Sequence, residues 1–214
     1  MSGALQAVFQ NQRSFIPPLP AIGAAYEGGF FAGQIGVSGV ATHNLVIGPV
    51  ASAENATVAY KTANTATAGA DSDIDGPQNT ADIVADGNST VYPAGHFCND
   101  LVIGGYTDWY MPAKNELEVC YYNLKPTTTS NNTSSGINAN AVPARASNYT
   151  SGTPAQTTSS AFKDTGAEDF SAGVYWSSTD AGTTANLQNF SSGLQYNIGK
   201  IYTIPVRAIR RVAV

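Results

Sequence analysis

Gly104-Gly105-Tyr106-Thr107-Asp108-Trp109-Tyr110-Met111-Pro112-Ala113-Lys114-Asn115-Glu116-Leu117 carries a turn, an aromatic run and a helix start in close succession. The paired glycines permit a tight turn because neither carries a Cβ. Trp109 supplies a large apolar body whose indole N–H needs a partner once buried, so it reads as core. Pro112 suits a first helical turn, and Leu117, Cys120 and Tyr121 fall on one side of the helix it would open, which predicts a helix from about Pro112 to Asn123. Glu116 and Glu118 point to different sides of that helix, and solvent exposure is the default expectation for both.

Towards the N-terminus, Asn79-Thr80 precedes Ala81-Asp82-Ile83-Val84-Ala85, and Pro93 to Leu101 places Ala94, Phe97, Cys98 and Leu101 at helical spacing. Earlier still, Gly28 to Val50 is Gly-rich with aromatic and β-branched runs such as Gly29-Phe30-Phe31-Ala32-Gly33-Gln34 and Leu45-Val46-Ile47, the pattern of paired strands joined by tight turns. Two helices on one sheet is the simplest packing. Residues 1–20 end in Phe15-Ile16-Pro17-Pro18-Leu19-Pro20, an extended proline run that reads as an attachment arm and linker.

Towards the C-terminus, residues 125–160 are dominated by Thr, Ser, Asn, Gly and Pro, including Thr127-Thr128-Thr129-Ser130-Asn131-Asn132, and read as a surface insertion. A short helix around Ala161 to Phe170 is expected to close it. From Val174 onward, alternating runs separated by Gly and Asn predict antiparallel strands and hairpins.

The chain has 214 residues, enough for one domain of 21–214 with a real core behind the arm. Only 12% of residues are charged, against about 25% in an ordinary globular protein; with so much Thr, Ser, Asn, Ala and Gly, this suits an extracellular or virion surface better than a metabolic enzyme. A net charge of −5 argues against nucleic acid as partner, since phosphate binders concentrate Lys and Arg on one face. The basic cluster Arg207, Arg210 and Arg211 lies in an apparent terminal strand, where salt bridges and protection of a sheet edge are its expected roles. No apolar run is long enough for a membrane span, and Met1 to Phe15 shows no basic region followed by an apolar one, so neither membrane insertion nor a secretory signal is expected.

Candidate chemistry is sparse. Asp71-Ser72-Asp73-Ile74-Asp75-Gly76 with Asp82 has the carboxylate spacing of a calcium loop, which would make Asp71, Asp73 and Asp75 metal ligands. Pro77 and Gln78 break the pattern, and the competing reading is a polar turn whose Asp75 and Asn79 cap the next helix. His43 and His96 lie in no nucleophile or metal motif, so neither a catalytic site nor a cofactor is expected. Cys98 and Cys120 read as core thiols rather than a bridge or metal pair. The Asn-x-Ser/Thr sequons at Asn55, Asn88, Asn131, Asn132, Asn148 and Asn189 follow from composition, and no glycosylation is assigned.

Gly104 to Leu117, then Val174-Tyr175-Trp176-Ser177-Ser178-Thr179, then Val206-Arg207-Ala208-Ile209-Arg210-Arg211-Val212 together resemble the family that includes the C-terminal domain of the Legionella collagen-like adhesin and many phage tail proteins. The resemblance covers about residues 75 to 212. It implies an α+β, C-type-lectin-like fold: twisted antiparallel sheets with two main helices and long Thr/Ser/Asn-rich loops, often assembled as a homotrimer. Ala113 departs from the Ser or Thr cap common in the family, and the 125–160 insertion is longer than a minimal member needs. The opening Met1-Ser2-Gly3-Ala4-Leu5-Gln6-Ala7-Val8-Phe9 is similar to the start of phage structural proteins, which implies docking of the arm to other tail proteins.

In phage members linked to diversity-generating retroelements, the interval after the Trp-Ser-Ser motif is rewritten at adenine-containing codons, often Asn codons. Asn186, Gln188, Asn189, Gln195 and Asn197 resemble the remnant of such a template. The resemblance therefore implies a receptor-binding surface within Tyr175–Val212 made by Asp180, Leu187, Ser191, Ser192, Leu194, Tyr196, Ile198, Ile201 and Tyr202, with Tyr196 and Tyr202 as the strongest contacts. Plain strand alternation is the competing reading, in which Leu194, Tyr196 and Ile198 face the core. The expected function is a non-enzymatic phage tail-tip or tail-fibre adhesin, located on the virion, that recognises a bacterial surface protein or glycan. The alternative is a structural virion protein for tail joining or decoration. The formylglycine-generating oxygenases share the fold superfamily but depend on a late cysteine pair, and no cysteine follows Cys120.

Overall fold

A computed structural model describes residues 18–214; most of the proposed arm of residues 1–20 lies outside the described residues. Strand β1 (Ala25–Tyr26) and β2 (Gly29–Val37) are joined by Glu27 and Gly28, both at positive φ (46° and 84°). Ser38 and Gly39 (51° and 79°) join β2 to β3 (Val40–Ile47) in the same way. Two central residues in the left-handed region match the right-handed twist of paired strands, so these loops set both hairpin registers.

After a single helical turn, α1 (Val50–Ala53), come β4 (Glu54–Ala59), α2 (Gly76–Asp86), α3 (Pro93–Asn99) and α4 (Lys114–Leu124). The second half holds β5 (Val174–Ala181), β6 (Thr184–Asn189), β7 (Gln195–Gly199), β8 (Thr203–Arg207) and β9 (Ile209–Ala213). The strands form three antiparallel groups in the orders β1-β2-β3-β9, β4-β8 and β5-β6-β7. Among the described residues the fold is α+β, with three sheets rather than one sheet under two helices.

Two cores share walls. Strand β3 sends Leu45 and Ile47 into the first, against Leu117, Tyr121 and Phe190, and Val46 into the second, against Trp109, Met111 and Val206. Strand β5 divides likewise, Tyr175 entering the first core and Trp176 the second. Burial on both faces explains why these runs are continuously apolar rather than alternating. Trp109 and Trp176 are both buried, as expected, and the Trp176 indole donates to the Val58 carbonyl at 3.0 Å. Cys98 and Cys120 are buried, unbridged thiols on α3 and α4, one in each core.

Three expectations change. Helix α2 begins at Gly76, several residues before the Asn79-Thr80 start, because the Asp75 carboxylate accepts from the Gln78 N–H and Pro77 sits in the first turn. Residues 161–170 form turns instead of a helix: Thr165 lies at φ 68°, a left-handed conformation that no helix interior tolerates. The insertion of residues 125–160 carries no regular element, yet it pairs with the sheet. Gly36 N donates to Asn140 O (2.7 Å) and Val142 N to Gln34 O (3.2 Å), covering the edge of β2 that the short β1 leaves open.

Candidate functional site

The register Trp176↔Leu187↔Tyr196 places these side chains on one face of the β5-β6-β7 meander, with Ala185↔Ile198 beside them. That face looks into the second core. Leu187 is buried and Tyr196 and Ile198 are half-buried against it, as strand alternation requires. Asp180 is buried as well, its Oδ1 2.6 Å from Lys200 Nζ and its Oδ2 accepting the Thr67 N–H. Leu187 and Asp180 are therefore corrected from surface to interior groups: a side chain packed or ion-paired inside the fold has no area left for a partner.

The turn from β7 to β8 behaves differently. Ile201 and Tyr202 stand 49% and 58% exposed, next to each other, on a tip whose base is fixed by buried Lys200 and by β8 pairing with β4. Ser191, Ser192 and Leu194 are half-buried in the β6–β7 turn, where the Asn189 carboxamide accepts the N–H groups of Ser191 and Ser192. This turn leans on the insertion: Asn132 N donates to Ser192 O at 2.7 Å.

The opposite face of β7 carries a feature that strand periodicity did not announce. Gln195 meets Lys114 from α4 and Ser134, Ser135, Ile137 and Asn148 from the insertion around an open polar cleft of about 280 Å³. Asn148 also borders a neighbouring cleft of about 170 Å³ lined by Tyr122, Arg145, Tyr149 and Thr153. Gln195 was legible as one of the Asn/Gln positions after the Trp-Ser-Ser motif, but its juxtaposition with residues 134–148 is a tertiary fact.

Buried charge positions these surfaces. Glu116 and Glu118 are both fully buried, against the expectation of exposure. Glu116 accepts from the Ala113 N–H (2.8 Å), the Tyr110 hydroxyl (2.5 Å) and Arg211 Nε (2.6 Å), so the N-terminus of α4 is capped by Glu116 where Ala113 offers no side-chain acceptor. Burial pushes the Glu116 and Glu118 carboxyls above the usual carboxylate range, opposed in each case by a neighbouring arginine. Glu118 holds the insertion to α4 through Arg145, the Tyr149 hydroxyl (2.5 Å) and Asn138 Nδ2 (2.6 Å). Lys125 ties down its start, donating to Asn131 Oδ1 at 2.7 Å and Thr129 O at 2.5 Å.

The arginine cluster forms the expected salt bridges. Arg207 is buried against Glu168 (2.8 Å) and the Gly48 carbonyl, Arg210 makes a two-pronged contact with Asp108 (2.8 and 2.9 Å), and Arg211 pairs with Glu116. Strand β9 is indeed a sheet edge.

The acidic loop does not gather its carboxylates. Asp73 pairs with Lys114 (3.2 Å), and Asp75 caps α2 and lies 3.6 Å from Arg211. Among the described residues no three His, Cys, Asp or Glu side chains are grouped to hold a metal ion. The polar-turn reading accounts for the segment, with one change: Asn79 does not cap but reaches back, accepting from Ser72 N and donating to Ser72 O. His43 touches Thr42, and His96 Nε2 meets the Gly87 carbonyl at 2.7 Å, both local contacts. No family model and no curated protein matches the chain. Among the described residues no helix is long and apolar enough to cross a membrane.

Proposed function

We propose that this chain is a non-enzymatic, C-type-lectin-like receptor-binding protein of a phage tail, acting on the virion and recognising a protein or glycan on a bacterial surface. The observation that carries the reading is the exposed Ile201-Tyr202 tip on a rigid base. A pair of large side chains held in water by a braced turn gives contact area without a large ordering cost on binding, which is what recognition uses. The polar cleft around Gln195 and Asn148 adds hydrogen-bonding groups within the same C-terminal half. Ser191, Ser192 and Leu194 lie in the β6–β7 turn at the other end of β7, and homotrimer formation would multiply weak single sites.

The test is adsorption of the purified protein to a panel of bacterial strains, beside an Ile201→Ser/Tyr202→Ser double variant. Binding of the parent to some strains and at least tenfold weaker binding of the variant, about 1.4 kcal/mol, is the expected outcome. Binding unchanged in the variant removes the tip from the site. A second reading, a structural virion component, is favoured by the apolar rim of Val37, Val40 and Val214 at the end of the four-stranded sheet, all well exposed. It gains if neither protein adsorbs to any strain while both assemble with purified tails. Sedimentation velocity reads the trimer directly.

A further inference from the structure

We infer that Lys200 and Asp180 form an intramolecular amide cross-link between their side chains, closed by the folded protein itself. The inference is independent of the adhesin reading.

Lys200 Nζ lies 2.6 Å from Asp180 Oδ1, with both side chains buried. The contact is at ion-pair distance, and Oδ1 makes no other hydrogen bond. An amine this close to a carboxyl group and shut away from water is held beside the carbon it would attack, with no encounter left to pay for. The other oxygen is differently placed: Oδ2 accepts the Thr67 N–H at 2.5 Å.

The surroundings suit condensation. The fully buried Tyr60 ring lies 5.1 Å from Nζ, with the equally buried Tyr92 and Trp176 packed edge-on against it. The amine is oriented by the Thr65 carbonyl (2.8 Å) and the Thr67 hydroxyl (3.1 Å). Thr67 in turn meets the Tyr92 hydroxyl at 3.1 Å, and Tyr92 donates to Asp86. Burial also draws the Lys200 ammonium below the usual lysine range, which favours the nucleophilic free amine.

The atoms balance without a co-reactant. One proton passes from the Lys200 ammonium to Asp180 Oδ1, leaving a neutral amine and a carboxylic acid. The nitrogen lone pair attacks Cγ, forming the C–N bond, while charge gathers on Oδ2 and is stabilised by the Thr67 N–H. The Cγ–Oδ1 bond then breaks, and Oδ1 leaves as water with the proton already received and a second from nitrogen. The oxygen expelled is the one that faces the amine; the oxygen kept as the amide carbonyl already has its donor in the Thr67 N–H. The remaining N–H can still donate to Thr65 O. The cross-link joins the end of β5 to the residue after β7, at the base of the Ile201-Tyr202 tip.

Intact-mass spectrometry of the purified full chain, unfolded just before analysis, is the test. The expected mass is one water below that of the sequence, with a branched peptide joining the Asp180 and Lys200 fragments after proteolysis. Lys200→Ala is expected at its full sequence mass, and Asp180→Asn is expected to lose ammonia and give the same product as the parent. Asp75-Gly76 and Asp86-Gly87 can also lose water as succinimides, which hydroxylamine cleaves while leaving the side-chain amide intact. A parent protein at full sequence mass overturns the inference whether or not the variants fold. So does a water loss that hydroxylamine removes or that fragment ions place outside Asp180 and Lys200.

Discussion

Glu116 and Glu118 are two residues apart on one helix and both interior, each serving a different wall of the first core. Losing one partner of a buried pair leaves the other charge uncompensated, so Glu118→Ala is expected to destabilise the fold by about 3–5 kcal/mol. Arg145, Asn138 and Tyr149 lose a common acceptor with it, so amide exchange across 130–155 is expected to accelerate more than that of β3. Equal acceleration everywhere would mean that the insertion is not specially dependent on Glu118.

Glu116 makes a pH prediction whose sign follows from burial. Burial holds its folded pKa above the ordinary glutamate value of 4.5, so as pH falls from neutral through that raised value, the folded state binds a proton before the unfolded state does. Stability then rises towards acid over that window. A Glu116→Gln variant cannot titrate there. The stability of the parent relative to this variant, read from urea unfolding at stepped pH, is expected to grow from neutral pH down towards 4.5. A shrinking difference would show that the Arg211 pair outweighs desolvation.

At the scale of elements, hairpin turns and helix caps do the positioning. Gly193, at φ 74°, sits in the β6–β7 turn where a Cβ would come within 2.4 Å of the Tyr121 ring. Gly193→Ala therefore combines left-handed strain with overpacking and is expected to cost about 2 kcal/mol, seen as a lower thermal midpoint. The N-terminus of α2 depends on the Asp75 side chain, so Asp75→Ala is expected to cost about 1 kcal/mol and to leave α4 unaffected. Helix α4 has its own internal cap from Glu116, which is how it starts cleanly at a non-capping alanine.

At the scale of the molecule, two cores share β3 and β5, so damage to either should propagate through both. The exposed tip is outside both. Ile201→Ser/Tyr202→Ser is expected to shift unfolding stability by no more than about 0.5 kcal/mol, whereas Leu187→Ala, fully inside the second core, is expected to lose about 2–5 kcal/mol. Denaturant melts of the two variants side by side check the division of Tyr175–Val212 into interior and surface. Similar losses in both would place the tip in the core after all.

Several features were legible in residue order alone: the β2 and β3 strand pair, α4 behind Pro112, the two core tryptophans, the C-terminal hairpins and the ion-pairing arginines. Each rests on a local cause, whether side-chain period, turn chemistry or the restricted backbone of proline, and local causes are written in sequence. Which face of β7 is covered, where Gln195 meets residues 134–148, and why Glu116 and Glu118 are interior were decided only by the tertiary structure. A helix or strand pattern states that one face is apolar, but the partner of a buried carboxylate can lie anywhere along the chain. Arg211 and Arg145 supply those partners from 95 and 27 residues away, and it is their arrival, not the helix period, that allows the charges to be buried.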